Sequence, residues 1–374
     1  MATVASVATQ SRPKIARRRG LALLLAIAGV FGIDALLFRT NLYRSVLEPE
    51  SSTGQFELTL WRERRAQLRV PRNTITGVGD SRFAYFPRLA NQLLAETGFV
   101  FRSAGVAGSN PQSWYYMLRD LDPTARRYAA IMIGVDDYDD EDQWFEPDED
   151  IRALHYAISR LRVTDCLDFA GSFPKFGQRF QVLRGCLFKG IVLQQDLYAF
   201  LSNPQKRIDA VHLQHSGFEE WTYGYVEDKK SLAGLSIDYS TMTATFPPGA
   251  GQDQILTVKS FLLRPPPPKE NIGRLAKFRR TWFGRIIDRY RGSRTKIVFV
   301  RLPRGPIPRP ANLVPKYSSS IREFASKPNV ILLDEHAFES LEHPEFFKDG
   351  LHLNLEGATR FSHMLAREMQ RALK

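Results

Sequence analysis

Cysteine is scarce in this chain: two in 374 residues, Cys166 and Cys186. No C-x-x-C pair and no zinc-ligand spacing can be drawn from them. Two readings of the pair stay open: one disulfide closing a modest loop if the domain lies outside the cytoplasm, or two buried thiols. There is no P-loop and no G-x-S-x-G elbow. Gly77-x-Gly79 begins a dinucleotide-type glycine pattern, but its sixth position is Arg82 and no ribose-binding acid follows where one is expected. His212 and His215 have no third ligand nearby, and His336 and His343 are equally unsupported. The acidic run Asp136–Asp142 lacks the glycine and the spaced ligands of a calcium loop. No nucleic-acid motif accompanies the formal charge of +12, which reads as solubility plus arginines beside a membrane. No cofactor, no metal and no nucleic-acid partner is therefore expected.

What is present is the composition of a folded globular protein, 43% hydrophobic and 25% charged. Residues 1–19 are polar and basic, with Arg12, Lys14, Arg17, Arg18 and Arg19. An apolar run from Leu21 to Phe38 follows, broken only by Gly29, Gly32 and Asp34. That length just spans a hydrocarbon core of about 30 Å. The one A-x-A triplet, Ala26-Ile27-Ala28, falls too early for signal cleavage, so residues 20–38 read as an uncleaved anchor. The basic residues on its N-terminal side place that end in the cytoplasm and the main domain in the periplasm or otherwise outside the cytoplasmic membrane. Asp34 is costly within a span and is expected near the outer interface. Residues 39–70 read as a stalk.

From residue 71 the pattern alternates. Thr74–Val78 reads as a strand running into Gly79-Asp80-Ser81, with a helical face at Leu89, Leu93 and Leu94 and a C-cap at Gly98. Phe99–Ser103 is a second strand, and Ser109 or Asn110 caps a helix that starts at Pro111. Tyr128–Ile133 is a third strand, ending at Gly134-Val135-Asp136-Asp137. Short continuous apolar runs alternating with helices point to an α/β fold with a parallel sheet covered on both faces. Ser81, Gly105 and Asp136 all fall at strand exits, where such sheets hold their ligands.

The rhythm breaks from about 140 to 292, which reads as an insertion flanking the site. It contains an expected hairpin, Thr241–Phe246 against Ile255–Leu263, and the helical stripe Leu275, Phe278, Trp282, Ile286 and Tyr290. Strands resume at Lys296–Leu302 and Val330–Leu333, with a helix expected around Lys316–Ala325 between them. A last amphipathic helix, capped by Asn354, follows the loop Lys348-Asp349-Gly350-Leu351-His352. Asp349 and His352 are spaced so that the carboxylate can hold one ring nitrogen while the other faces a nucleophile.

The chain resembles the SGNH (GDSL-like) hydrolase family. The likeness is carried by Gly79-Asp80-Ser81, by Gly105, by Gly134-Val135-Asp136-Asp137 and by Asp349-Gly350-Leu351-His352. It covers 71–137 and about 294–374. It implies a flavodoxin-like three-layer α/β/α fold, Ser81 as nucleophile, His352 as base and Asp349 as its orienter. It also implies an oxyanion hole from the N–H groups of Ser81 and Gly105. The family's third-block asparagine, an oxyanion donor, is replaced by Asp136, and its second-block asparagine by Ser103. An ionised aspartate accepts hydrogen bonds and cannot donate one, so Asp136 is protonated, faces elsewhere, or leaves a hole of two donors.

An anchor followed by such a domain is similar in layout to the membrane-anchored partners of polytopic O-acyltransferases. That likeness implies an acylated glycan or cell-envelope polysaccharide as substrate and a polytopic O-acyltransferase as partner. Two functions are therefore expected: an anchored serine esterase or acyltransferase, or a non-catalytic partner that keeps the fold.

Overall fold

The computed structural model describes residues 12–67, 73–83, 86–140, 151–224, 229–265, 269–310 and 317–374. The start of the basic tail, Glu141, Asp142, Pro266–Pro268 and Lys316 lie outside the described residues. Helices in chain order are α1 Arg12–Phe38, α2 Asn41–Arg44, α3 Ser52–Gln67, α4 Phe86–Ala90, α5 Leu94–Thr97, α6 Pro111–Leu121 and α7 Arg152–Ala157. Then come α8 Cys166–Gly171, α9 Phe176–Leu187, α10 Lys189–Ser202, α11 Pro204–Gly224, α12 Gln252–Phe261, α13 Lys269–Tyr290 and α14 Leu355–Leu373. Strands are β1 Thr74–Val78, β2 Val100–Ser103, β3 Ala130–Val135, β4 Ser236–Asp238, β5 Thr243–Thr245, β6 Lys296–Arg301 and β7 Val330–Leu332.

Five strands form one sheet in the order β2-β1-β3-β6-β7, every pairing parallel. The chain moves outward from β1 to β2, then crosses back to β3 on the other side. The strand order therefore reverses next to β1, where the carboxyl ends leave a crevice. All of β1 and β3 is buried, as expected of continuous apolar runs covered on both faces. Alternate residues feed two separate cores: Ile131 and Ile133 pack with α3, α6 and α13, while Ala130 and Met132 pack with α4, α12 and α14.

Several expected elements form where the sequence places them. Asn110 caps α6 through the Ser113 N–H, with Pro111 at the first helical position. Asn354 caps α14 through the Gly357 N–H. Leu275, Trp282, Ile286 and Tyr290 of the predicted stripe are buried on α13.

Other segments fold differently. Ile255–Leu263 is not a strand: 252–261 is α12, with Val258 and Leu262 buried one turn apart. Thr243–Thr245 pairs instead with the preceding Ser236–Asp238. The β-branched Ile255, Thr257 and Val258 suggest a strand, but the buried Val258 and Leu262 keep a helical spacing of four. In place of a helix around 316–325 there is only a short 3₁₀ turn, Arg322–Ser326. Ser318 and Ser320 hydroxyls bind the Asp140 carboxylate, and the Ser319 hydroxyl donates to the Tyr138 carbonyl, which draws that segment out of a helix.

Residues 39–67 do not stand off from the domain as a stalk. Tyr43, Leu47, Phe56 and Leu60 are buried in its core, and α3 packs on α6 and α7. Phe56 and Leu60 lie one helical turn apart, which gives α3 an inward apolar face beneath its charged surface.

One stretch, Gly20–Phe38 within α1, is long and apolar enough to cross a membrane. Its leucines at 21, 23, 24, 25 and 36 are exposed. Asp34 near its C-terminal end is buried, and its carboxylate accepts from the Lys189 N–H (3.1 Å) and the Gly190 N–H (2.6 Å) at the start of α10. The anion thus satisfies the orphan donors of a helix N-terminus. The two cysteines are joined, Cys166 to Cys186, across 20 residues.

Candidate active site

Ser81 sits in a turn directly after β1. The turn is closed by Phe83 N–H to the Asp80 carbonyl (3.1 Å) and by Arg82 N–H to Asp80 Oδ1 (2.9 Å). Glycine is required at 79, because a Cβ there would lie 2.7 Å from the Phe83 Cβ. The turn therefore folds tightly under Phe83, which is itself fully buried.

His352 and Asp349 come from the loop between β7 and α14. That loop is pinched shut by Lys348 N–H to the His352 carbonyl, 2.9 Å. Asp349 Oδ1 accepts from the backbone N–H groups of Leu351 (2.8 Å) and His352 (2.7 Å). The carboxylate also meets His352 Nδ1 at 2.9 Å and 3.1 Å. Burial raises the Asp349 carboxyl, but hydrogen bonds from His352 and the loop N–H groups outweigh it and hold the group below the usual carboxylate range. The other ring nitrogen, His352 Nε2, lies 2.8 Å from Ser81 Oγ. Residues 271 positions apart thus form a continuous Ser81–His352–Asp349 relay.

Helix α12 braces this loop. Gln254 on α12 donates to the Lys348 carbonyl (2.7 Å), and Gly350 N–H donates to Thr257 Oγ1 (3.0 Å). A Cβ at Gly350 would come within 2.7 Å of the α12 backbone, so the close approach needs glycine. Neither Gln254 nor Thr257 was singled out from sequence. Nothing in their local pattern announces a contact made across 93 residues.

The other expected residues are placed as follows. Ser81 N–H has no acceptor among the described residues, and Ser81 lines the crevice. Gly105 lies at the exit of β2, but its N–H donates to Ser103 Oγ at 3.1 Å. The Ser103 hydroxyl in turn donates to the Phe83 carbonyl. Asp136 lies at the exit of β3 and forms an ion pair with Arg82, whose guanidinium also binds Asp80 at 2.6 Å. Burial opposes the charge on Arg82, yet the two flanking carboxylates raise its pKa. Burial likewise raises Asp80, and the adjoining Arg82 overrides that and lowers it. Arg82 was passed over in the sequence because it stood only as the residue that spoiled a glycine pattern. Its position directly after Ser81 was the available signal.

Beside Ser81 opens a cavity of about 280 Å³ lined by Arg82, Asp136, Trp114, Leu275, Phe278 and Phe283, among others. Trp114 is tied down by Nε1–H to Ser109 Oγ (2.7 Å), and Ser109 to the Gly79 carbonyl (3.1 Å). The cavity is thus apolar on the α6–α13 side and ionic at the Ser81 end. No group of three or more His, Cys, Asp or Glu side chains suited to a metal occurs among the described residues. Chemically, the arrangement can generate a serine nucleophile and hold an apolar or short acyl group next to it. No protein-family model matches the chain, and no curated protein matches it.

Proposed function

We propose that the protein is a membrane-anchored serine esterase or O-acyltransferase acting on acylated glycan through an acyl-serine intermediate. The observation that carries this reading is the 2.8 Å approach of Ser81 Oγ to His352 Nε2, with Nδ1 held by Asp349. In the first step Ser81 Oγ attacks the ester carbonyl while His352 takes the hydroxyl proton. The ester C–O bond then breaks, and His352 returns the proton to the leaving alkoxide. Water or a sugar hydroxyl, deprotonated by the same imidazole, attacks the acyl-serine and releases Ser81. The oxyanion is met by Ser81 N–H, while Arg82 keeps Asp80 and Asp136 paired beside it. Gly105 N–H joins once it exchanges Ser103 Oγ for the substrate oxygen.

The flavodoxin-like, three-layer arrangement belongs to this proposal and is supported by the strand order and by the two cores flanking the sheet. So do the SGNH-type relationship and the insertion over about 140–292. The apolar helix Gly20–Phe38 with a basic N-terminal flank supports a single-pass anchor with its N-terminus inside. The Cys166–Cys186 bond suits an oxidising compartment outside. A polytopic O-acyltransferase partner rests on layout alone.

A second reading, a non-catalytic partner subunit, is favoured by one specific observation. Asp136 is paired with Arg82, and Gly105 N–H is already bonded. A fluorophosphonate probe separates the two readings. Covalent labelling at Ser81 that vanishes in Ser81→Ala supports the enzyme. Absence of labelling in folded protein, together with full function of Ser81→Ala in cells, supports the partner.

A further inference from the structure

A second and larger cavity, about 590 Å³, lies away from Ser81 between α2, α3 and α11. One face of α3 supplies Glu57, Trp61, Arg64 and Arg65, at helical spacings of three and four. Arg44 of α2 and Arg160 after α7 complete the ring. Four guanidinium groups thus face one lining carboxylate among the described residues. Glu57 is taken up by Arg160 through both carboxylate oxygens, Arg160 Nε to Oε1 at 2.7 Å. Arg44 Nε is buried without a hydrogen-bond partner among the described residues and stands 3.8 Å from Glu57 Oε1. Arg64 reaches Asp120, whose carboxylate is already shared with Arg119. Arg65 lies over the Trp61 ring, which stacks on His215 at 4.3 Å. Burial lowers Arg44 and Arg64, and like charge from Arg160 lowers both further. Cations gathered against their mutual repulsion in a half-closed cavity call for an anion.

The cavity's place narrows the choice. Asn41 and Arg44 follow the outer end of the apolar helix by only a few residues. Asp34 and Phe31, inside that helix, hold the α9–α10 corner through the Gly190 N–H and the Phe188 ring. Arg39 grips the same corner at the Cys186 and Leu187 carbonyls. The domain is therefore locked to the end of α1, and the arginines stand at headgroup level if α1 spans the bilayer.

We infer that this cavity binds a phosphate group, carried by a phospholipid-type headgroup or by a free phosphorylated ligand. Arg44, Arg64 and Arg160 take the phosphate oxygens, and the Trp61–His215 pair walls the site. The site is separate from Ser81 and does not depend on its chemistry.

The test is calorimetric titration of detergent-solubilised full-length protein with dihexanoylphosphatidic acid and with inorganic phosphate. Saturable binding of at least one in the millimolar range or tighter is expected. Binding of the lipid alone assigns the headgroup, and equal binding of both assigns the phosphate itself. Arg64 and Arg65 are exposed, so Arg64→Gln with Arg65→Gln is expected to leave the thermal midpoint unchanged and weaken binding about tenfold or more. Arg291→Gln, at an exposed ion pair elsewhere, should leave binding unchanged, as should Ser81→Ala. The inference is overturned if neither probe binds, or if the Arg64/Arg65 variant binds as the wild type does. Equal weakening by Arg291→Gln would reduce the effect to bulk charge and overturn it too. Loss of binding in Ser81→Ala would move the ligand to the catalytic crevice and equally overturn it.

Discussion

The crevice at Ser81 and the cavity beside α1 treat charge in opposite ways. Around Ser81 the charges nearest the hydroxyl are held by partners: Arg82 lies between Asp80 and Asp136, and Asp349 is bonded by His352 and two backbone N–H groups. Beside α1 the guanidinium groups outnumber the lining carboxylate. The first pattern fixes geometry, because every group that could swing is held by a partner of opposite charge. The second leaves more guanidinium groups than carboxylates around one cavity, the surplus that the phosphate proposal rests on. Preorganisation marks a reacting site and residual charge marks a binding site.

The comparison can be broken at either end. The largest effect is expected from Ser81→Ala, which removes the proposed nucleophile. Esterase turnover of a p-nitrophenyl acyl ester should fall by about a thousandfold or more, with the thermal midpoint unchanged. Unchanged turnover would place the chemistry elsewhere.

At the membrane-side end, Cys166→Ser with Cys186→Ser opens a loop of 20 residues whose Cys186 carbonyl receives Arg39. A loss of about 3 kcal/mol is expected in denaturant unfolding, with little change in turnover of the folded protein.

Gly350→Ala tests the brace on the catalytic loop. The new Cβ must push α12 and the Asp349 loop apart. A shift of His352 by about 1 Å predicts up to a hundredfold loss of kcat, with KM less affected. Thr257→Val removes only the hydrogen bond to Gly350 N–H and should cost about 1 kcal/mol or less in activity.

The smallest effect concerns Lys189, buried at the α10 start with Nζ on the Ser159 carbonyl. Burial first, and Arg39 and Arg44 second, push its pKa down to about 7. The unfolded chain keeps its proton up to about 10.4, so between pH 7 and 10 the unfolded state binds more protons than the folded one. Stability contributed by this group should therefore rise with pH across that window. Lys189→Met should flatten the rise in thermal midpoint, and an unflattened rise would reject the assignment.

Much of the catalytic end was legible because it is local. Gly79-Asp80-Ser81 is a turn after a buried strand, and Asp349 with His352 is a turn before a capped helix. Each is decided within a few residues by backbone hydrogen bonds. Asn110, Pro111 and Asn354 were readable for the same reason. The errors fall where distant contacts overrule local preference. Residues 39–67 read as a charged stalk because their arginines dominate, yet Phe56 and Leu60 turn inward and bury one face of α3. Ile255–Leu263 reads as a strand, yet packing selects a helix over 252–261. The serines at 318–320 were drawn out of a helix by Asp140.

By itself the sequence determined the strands of the parallel sheet, the apolar segment, the Ser81 turn and the Asp349–His352 turn, since period, turn chemistry and burial are encoded in neighbouring residues. Only the tertiary structure decided that Ser81 and His352 meet, that α12 clamps the histidine loop and that Arg82 occupies Asp136. It also decided that Asp34 caps α10. Each of these joins residues tens to hundreds of positions apart, where contact depends on how the whole chain packs rather than on any local preference.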